Sequence, residues 1–177
     1  MTKPPRLEPL LTQLDTSLDI ALNRMDGITD DEYRWLPEPD ASTVERDDSG
    51  RLRPKPLPDD APRTRTIILL TGHLGEMALQ RADYTTGGHN LGINDVTWPE
   101  TADAGIEFLR HSWSVWRAAL NSLEDRELDV VGRCDFPHGL DPTVPVLDIA
   151  WWMNRELIHH TAEIAFVRDL YARRPVG

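Results

Sequence analysis

Apolar residues at Leu7, Leu10, Leu11, Leu14, Leu18, Leu22 and Met25 recur at intervals of three and four, which places them on one face of a helix that Gly27 can end. The pattern predicts a first helix over 6–26. Residues 37–62 break the period, because they are crowded with Pro and Asp and hold almost no large apolar side chain. They predict a long loop. A second helix is predicted over 64–85 through Ile67, Leu70, Leu74, Met77, Arg81 and Tyr84, with His73 on its inward face and Gly87-Gly88 after it. Beyond Trp98-Pro99, the positions of Ile106, Leu109, Trp113, Trp116, Leu120 and Leu123 predict a third helix over 101–123. Residues 124–144 are irregular and predict loop, with a small strand at 128–131 as the one extended candidate.

The clearest register comes last. Ala150, Met153, Leu157, His160, Ile164, Val167 and Tyr171 alternate steps of three and four, predicting a helix over 145–173 with Pro145 in its first turn and His160 in the core seam. Four amphipathic helices joined by long connections predict an all-α four-helix bundle, one domain over 1–177. Bundle connections usually run about 2 to 8 residues, so a loop as long as 37–62 points to function, disorder or a crossover.

Composition narrows the function classes. The chain has 30 acidic against 19 basic residues, a formal charge of −11, which opposes binding to a phosphate backbone and predicts no nucleic-acid partner. The mean hydropathy of −0.45, with no apolar run near the roughly 18 residues a membrane span needs, predicts no membrane association. The stretch MTKPPRLE carries no apolar signal region, so the expected location is cytoplasmic. A single cysteine, Cys134, excludes an internal disulfide and thiol-rich metal centres.

Candidate chemistry gathers on two helices. Side chains four residues apart on a helix project from one face, so Glu156 can stand beside His160, and His73 on the second helix supplies a third group. Two imidazoles and a carboxylate suit zinc, nickel, manganese or ferrous iron and leave positions open for water and substrate. The spacing equally permits an i,i+4 ionic pair with His73 bonded to a backbone carbonyl. Glu163, one heptad after Glu156, can orient His160 or replace Glu156. His159 is expected at a helix edge or in solvent, His111 on a solvent-leaning face, and His89 and His138 in loops. Cys134 and His138 are spaced as a nucleophile and base would be, but Pro137 gives them no reason to converge. Trp113 and Trp116 are expected in the core, Trp151 and Trp152 astride the last seam, and Trp35 and Trp98 exposed.

The segments Gly72-His73-Leu74, Arg81-Ala82-Asp83-Tyr84 and Asn154-Arg155-Glu156-Leu157-Ile158-His159-His160-Thr161-Ala162-Glu163-Ile164 together resemble the DinB-like superfamily, in particular its actinobacterial branch, which ends in a similar helix followed by Arg-Asp-Leu-Tyr, here Arg168 to Tyr171. The resemblance implies a four-helix bundle with a divalent metal held by a histidine of the second helix and an H-x-x-x-H pair of the last. Those positions fall on His73, Glu156 and His160, with Glu156 replacing the first histidine of the pair. It further implies a thiol S-transferase using mycothiol, bacillithiol or glutathione, with a metal-bound thiolate or water as nucleophile, and a homodimer. Arg81, or a loop arginine such as Arg63 or Arg65, would then hold a carboxylate of the thiol or its acceptor. The alternative is a non-catalytic bundle that binds a small molecule or dimerises, with Glu156 and His160 as a polar core pair.

Overall fold

The computed structural model describes residues 4–56, 64–86, 88–92, 95–133 and 143–175. In chain order the elements are α1 (Glu8–Met25), a one-turn α2 (Asp30–Tyr33), strands β1 (Val44–Arg46) and β2 (Leu52–Pro54), α3 (Ile67–Thr86), α4 (Ala102–Asn121), a 3-10 turn (Asp125–Asp129) and α5 (Val146–Ala172). The four long helices lie where the apolar periods predict them. Gly27, at φ +69°, takes the left-handed conformation that ends α1, and the Thr101 hydroxyl accepts from the Ala104 amide to start α4.

Helix α3 packs along α4 and α1 along α5, while α3–α5 and α1–α4 contacts close the ring. The consecutive helices α1 and α3 therefore face each other across one diagonal, and α4 and α5 across the other. Both long connections are crossovers, which is why they need their length. Trp113, Trp116, Leu70, Leu74, Met77 and Leu157 meet in the centre with about 1% of their surface exposed or less. Burial of each such side chain is worth roughly 1.5–3 kcal/mol. One polar tie fixes α5 against α1: buried Asn154 donates its amide to the Leu10 carbonyl at 2.8 Å and to Gln13 Oε1 at 3.0 Å.

The structure corrects three expectations. The 37–62 segment is not loop throughout, since β1 and β2 pair antiparallel with Glu45 opposite Arg53, and Gly50 turns the hairpin at φ +81°. Strands of three residues are too short to show a period of two; positions 57–62 lie outside the described residues. The extended candidate at 128–131 begins instead inside the 3-10 turn, where Glu124 and Glu127 exchange side-chain-to-backbone bonds in a capping box and Leu128 is fully buried. Trp98 is buried rather than exposed, and Trp35 is half-buried with its ring edge against Tyr171. Among the described residues no helix is long and apolar enough to cross a membrane.

Candidate metal centre

The register of α5 carries His160 into the bundle interior, its side chain only 8% exposed, and sets Glu156 one turn earlier at 13%. Helix α3 supplies His73, whose ring stands edge-on to His160 with centroids 5.1 Å apart. One ligand-type atom from each of His73, Glu156 and His160 lies within 4.8 Å of the others. A loose triad of two imidazoles and a carboxylate results, drawn from two facing helices.

Glu163, one turn after His160, gives the triad its polarity. Its Oε2 lies 2.7 Å from His160 Nδ1, and its Oε1 meets the Arg65 guanidinium at 2.5 Å. Burial raises the pKa of Glu163, but the bond from His160 and the charge of Arg65 outweigh it, and the net shift is downward. An ionised carboxylate only accepts, so Nδ1 carries the proton and Nε2 of a neutral His160 is left as a lone pair. That Nε2 faces Glu156 Oε2 at 3.4 Å. Two acceptors opposed inside a bundle need a positive charge between them, either a second proton on the imidazole or a cation. Arg155 neutralises Glu156 from the far side, with its guanidinium 2.6 Å from Oε1.

His73, Glu156, His160, Arg65 and Arg155 line a cavity of about 660 Å3, whose wall also includes Leu69, Glu76, Trp98 and Pro54. Local sequence explains that wall. Gly72 has no side chain where a Cβ would overlap the Trp98 ring, so the indole lies directly on α3, and its Nε1 donates to Glu76 Oε2 at 3.0 Å. The hairpin is pinned over the same region by buried Arg53, which donates to the Val96 carbonyl at 2.8 Å and lies 3.8 Å from Glu76. Arg65 is placed by backbone bonds that clamp Ser42 between Thr64 and Thr66, at 2.8 and 2.9 Å.

A second cluster, His159, His160 and Glu163, also has the composition of a metal site. It fits a cation poorly, because His159 is 59% exposed, Glu163 is already held by Arg65, and Nδ1 of His160 is committed to Glu163. The first triad has the better donor set, with the outer partners that metal-binding histidines use.

The remaining predicted residues disperse. Arg81 is fully buried, with its guanidinium 5.5 Å from the centre of the Trp152 ring, and it forms no part of the cavity wall. His111 and His89 are exposed, the latter stacked on Tyr84 at 4.0 Å. Arg63, Cys134 and His138 lie outside the described residues. Arg155, Glu76 and Trp98 were not among the site residues expected from sequence. The position of Arg155 beside Glu156 and the glycine inside α3 were the available signals.

The family model of the DinB superfamily matches residues 13–164, most of the chain and all of the candidate ligand positions. The chain belongs to the DinB superfamily. No curated protein and no solved structure matches it. As a DinB protein it keeps the helical bundle, and the histidine and carboxylate groups that could hold an ion lie in a cavity at the interface of α3 and α5.

Proposed function

We propose that this DinB protein is a metal-dependent enzyme of the thiol S-transferase type, using a mycothiol-like thiol, in which His73, Glu156 and His160 hold a divalent cation such as zinc, nickel, manganese or iron. The observation that carries the reading is the opposition of Glu156 Oε2 and His160 Nε2 across 3.4 Å, with the Nδ1 proton already committed to Glu163. A bound cation would supply Lewis acidity, favouring a thiolate over a thiol near neutral pH. The protein's own part is orientation. Glu163 holds the Nδ1 proton of His160 and so keeps the ring in one tautomer. Arg65 and Arg155 stand in the wall with their charge directed at Glu163 and Glu156, and their outer N–H groups are the donors available to a substrate carboxylate. Leu69 and Trp98 line the cavity's apolar side.

A second reading rests on Arg155. Its contact with Glu156, together with a doubly protonated His160, makes a polar core pair that needs no cation, as a non-catalytic binding bundle would have. Elemental analysis of protein purified without chelator separates the two. About one divalent cation per chain is expected in the wild type, with loss in His160→Ala and Glu156→Ala. No metal on isolation and no rise in melting temperature on titration with zinc, nickel, manganese or ferrous iron would overturn the metal reading. Metal bound without thiol transfer to an electrophile would overturn the transferase assignment alone.

A further inference from the structure

The segment Arg168 to Tyr171 takes no part in the metal cavity. It builds instead a hollow of about 460 Å3 at the end of the bundle where α1 and α5 both terminate. Arg168 fixes the floor of that hollow. Its guanidinium meets the buried Glu32 carboxylate of α2 at 2.7 Å and donates to the Arg24 and Asp26 carbonyls at the end of α1. Tyr171 supports a second guanidinium. Arg174 stands over its ring with the guanidinium carbon 3.3 Å from the centroid, and donates one N–H to the Tyr171 carbonyl at 2.6 Å. The ring is itself steadied by the edge of Trp35. Arg24 completes the wall, and its side chain has no hydrogen-bond or ion-pair partner among the described residues.

Arginines near helix C-termini complement the carbonyl ends, and Arg168 fills that role for α1. Arg24 is not needed for it, and Arg174 gives it a single N–H. Glu32 is neutralised by Arg168, which leaves two guanidinia with donors to offer against one carboxylate, Asp169. On a chain of charge −11 this is a local reversal of sign. A guanidinium stacked on a ring is held in one orientation, which suits it to a carboxylate or phosphate.

Arg24 and Asp169 also border a second space of about 460 Å3, a groove that continues between α1 and α5. Ala162 and Ala165 are small enough to leave a trough, flanked by Ile20 at 51% exposed, Ile158 at 44% and Phe166 at 59%. Ile158 and Phe166 lie two turns apart, about 12 Å along the axis, room for an extended chain of about eight carbons. Each space has the volume of a small-molecule site. Together they form a trough that is apolar in one half and cationic in the other.

We propose that this trough binds a single-chain amphiphile with an anionic head, a carboxylate or a phosphate, the head between Arg24 and Arg174 and the tail in the α1–α5 groove. The site shares no residue with the metal cavity and stands or falls apart from it.

The test is isothermal titration calorimetry of the full chain with octanoate and octyl phosphate, against octylammonium, acetate and inorganic phosphate, with circular dichroism to verify folding. Saturable binding at one site per chain is expected for octanoate or octyl phosphate, and the tighter of the two identifies the head. Arg24→Gln and Arg174→Gln should each weaken it about tenfold or more by removing a charge-assisted contact. Asp169→Asn should tighten it. Ala165→Trp should abolish it by filling the groove, with Ile20→Glu as the second groove variant, and Glu156→Ala should leave it unchanged. Octylammonium bound as tightly as either anion overturns the anionic head, and acetate or inorganic phosphate bound as tightly overturns the tail. Absence of saturable binding overturns the proposal outright. So does binding that both arginine variants leave intact, or that Glu156→Ala removes. Sedimentation equilibrium covers the remaining case: a dimer that neither amphiphile enters nor dissociates means that a second copy occupies the groove, and the ligand assignment falls.

Discussion

Replacing Glu163 by glutamine tests whether His160 is oriented from behind. The amide keeps the size of the side chain and an oxygen that can accept the Nδ1 proton, but it removes the charge that pairs with Arg65 at 2.5 Å and polarises the 2.7 Å bond to His160. Loss of such an outer partner typically lowers metal affinity about 10- to 100-fold, which corresponds to about 1.4–2.7 kcal/mol. The assay is competition titration of Zn2+ or Mn2+ against a chelator of known affinity, on wild type, Glu163→Gln, His159→Ala and His73→Ala. Glu163→Gln should fall in that window, His159→Ala should change little, and His73→Ala should lose most of the binding. Affinity unchanged in Glu163→Gln would refute the orienting role. Complete loss in both Glu163→Gln and His159→Ala, with His73→Ala intact, would move the ion to the other cluster. The same variant carries a pH signature. Because the folded-state pKa of Glu163 is lowered, its contribution to stability is present above the ordinary glutamate range and is lost as pH falls through the lowered value. The melting temperature of metal-stripped Glu163→Gln should therefore fall less steeply on acidification than that of the wild type.

Gly72→Ala should destabilise the fold by about 1–3 kcal/mol in denaturant unfolding, because the new methyl group overlaps the Trp98 ring, and it should shift the tryptophan emission; an unchanged or raised stability would refute the packing argument. Asn154→Ala should lower stability by about 1–3 kcal/mol by leaving the Leu10 carbonyl and Gln13 without their donor, read as a lower denaturant midpoint at constant slope. No tight, salt-dependent shift of duplex DNA is expected at physiological salt, given the charge of −11, and a filter-binding or mobility assay decides it.

The four long helices were legible because each buries one face for five turns or more, so that periodicity repeats often enough to be read. The His160–Glu156 pair was legible for the same reason, since both side chains share one helix and helical geometry alone sets their separation. His73 could be placed only on an inward face; that this face meets α5 depends on the diagonal crossovers, which no local pattern encodes. The Trp98 wall was misplaced because its neighbour Pro99 suggests a surface turn, while the gap that receives the indole is made by Gly72, far back in α3. The hairpin at 44–54 had a visible turn in Asp47-Asp48-Ser49-Gly50, but Arg53, which looked like another charge in a polar loop, is buried against Glu76 and Val96.

The crossover arrangement also sets the order in which this protein can be made. Helix α1 has its main partner in α5, and the tie from Asn154 to Leu10 spans 144 positions of sequence. During synthesis at roughly 5–20 residues per second, α3 and α4 emerge consecutively and can pair at once, whereas α1 waits several seconds for the partner that covers Leu11, Leu14 and Met25. Until then α4 is the long helix that covers its apolar stripe, and loop-closure entropy opposes the final docking. The ribosome-bound chain should accordingly hold a protected α3–α4 hairpin early and a protease-sensitive α1 until α5 has left the exit tunnel.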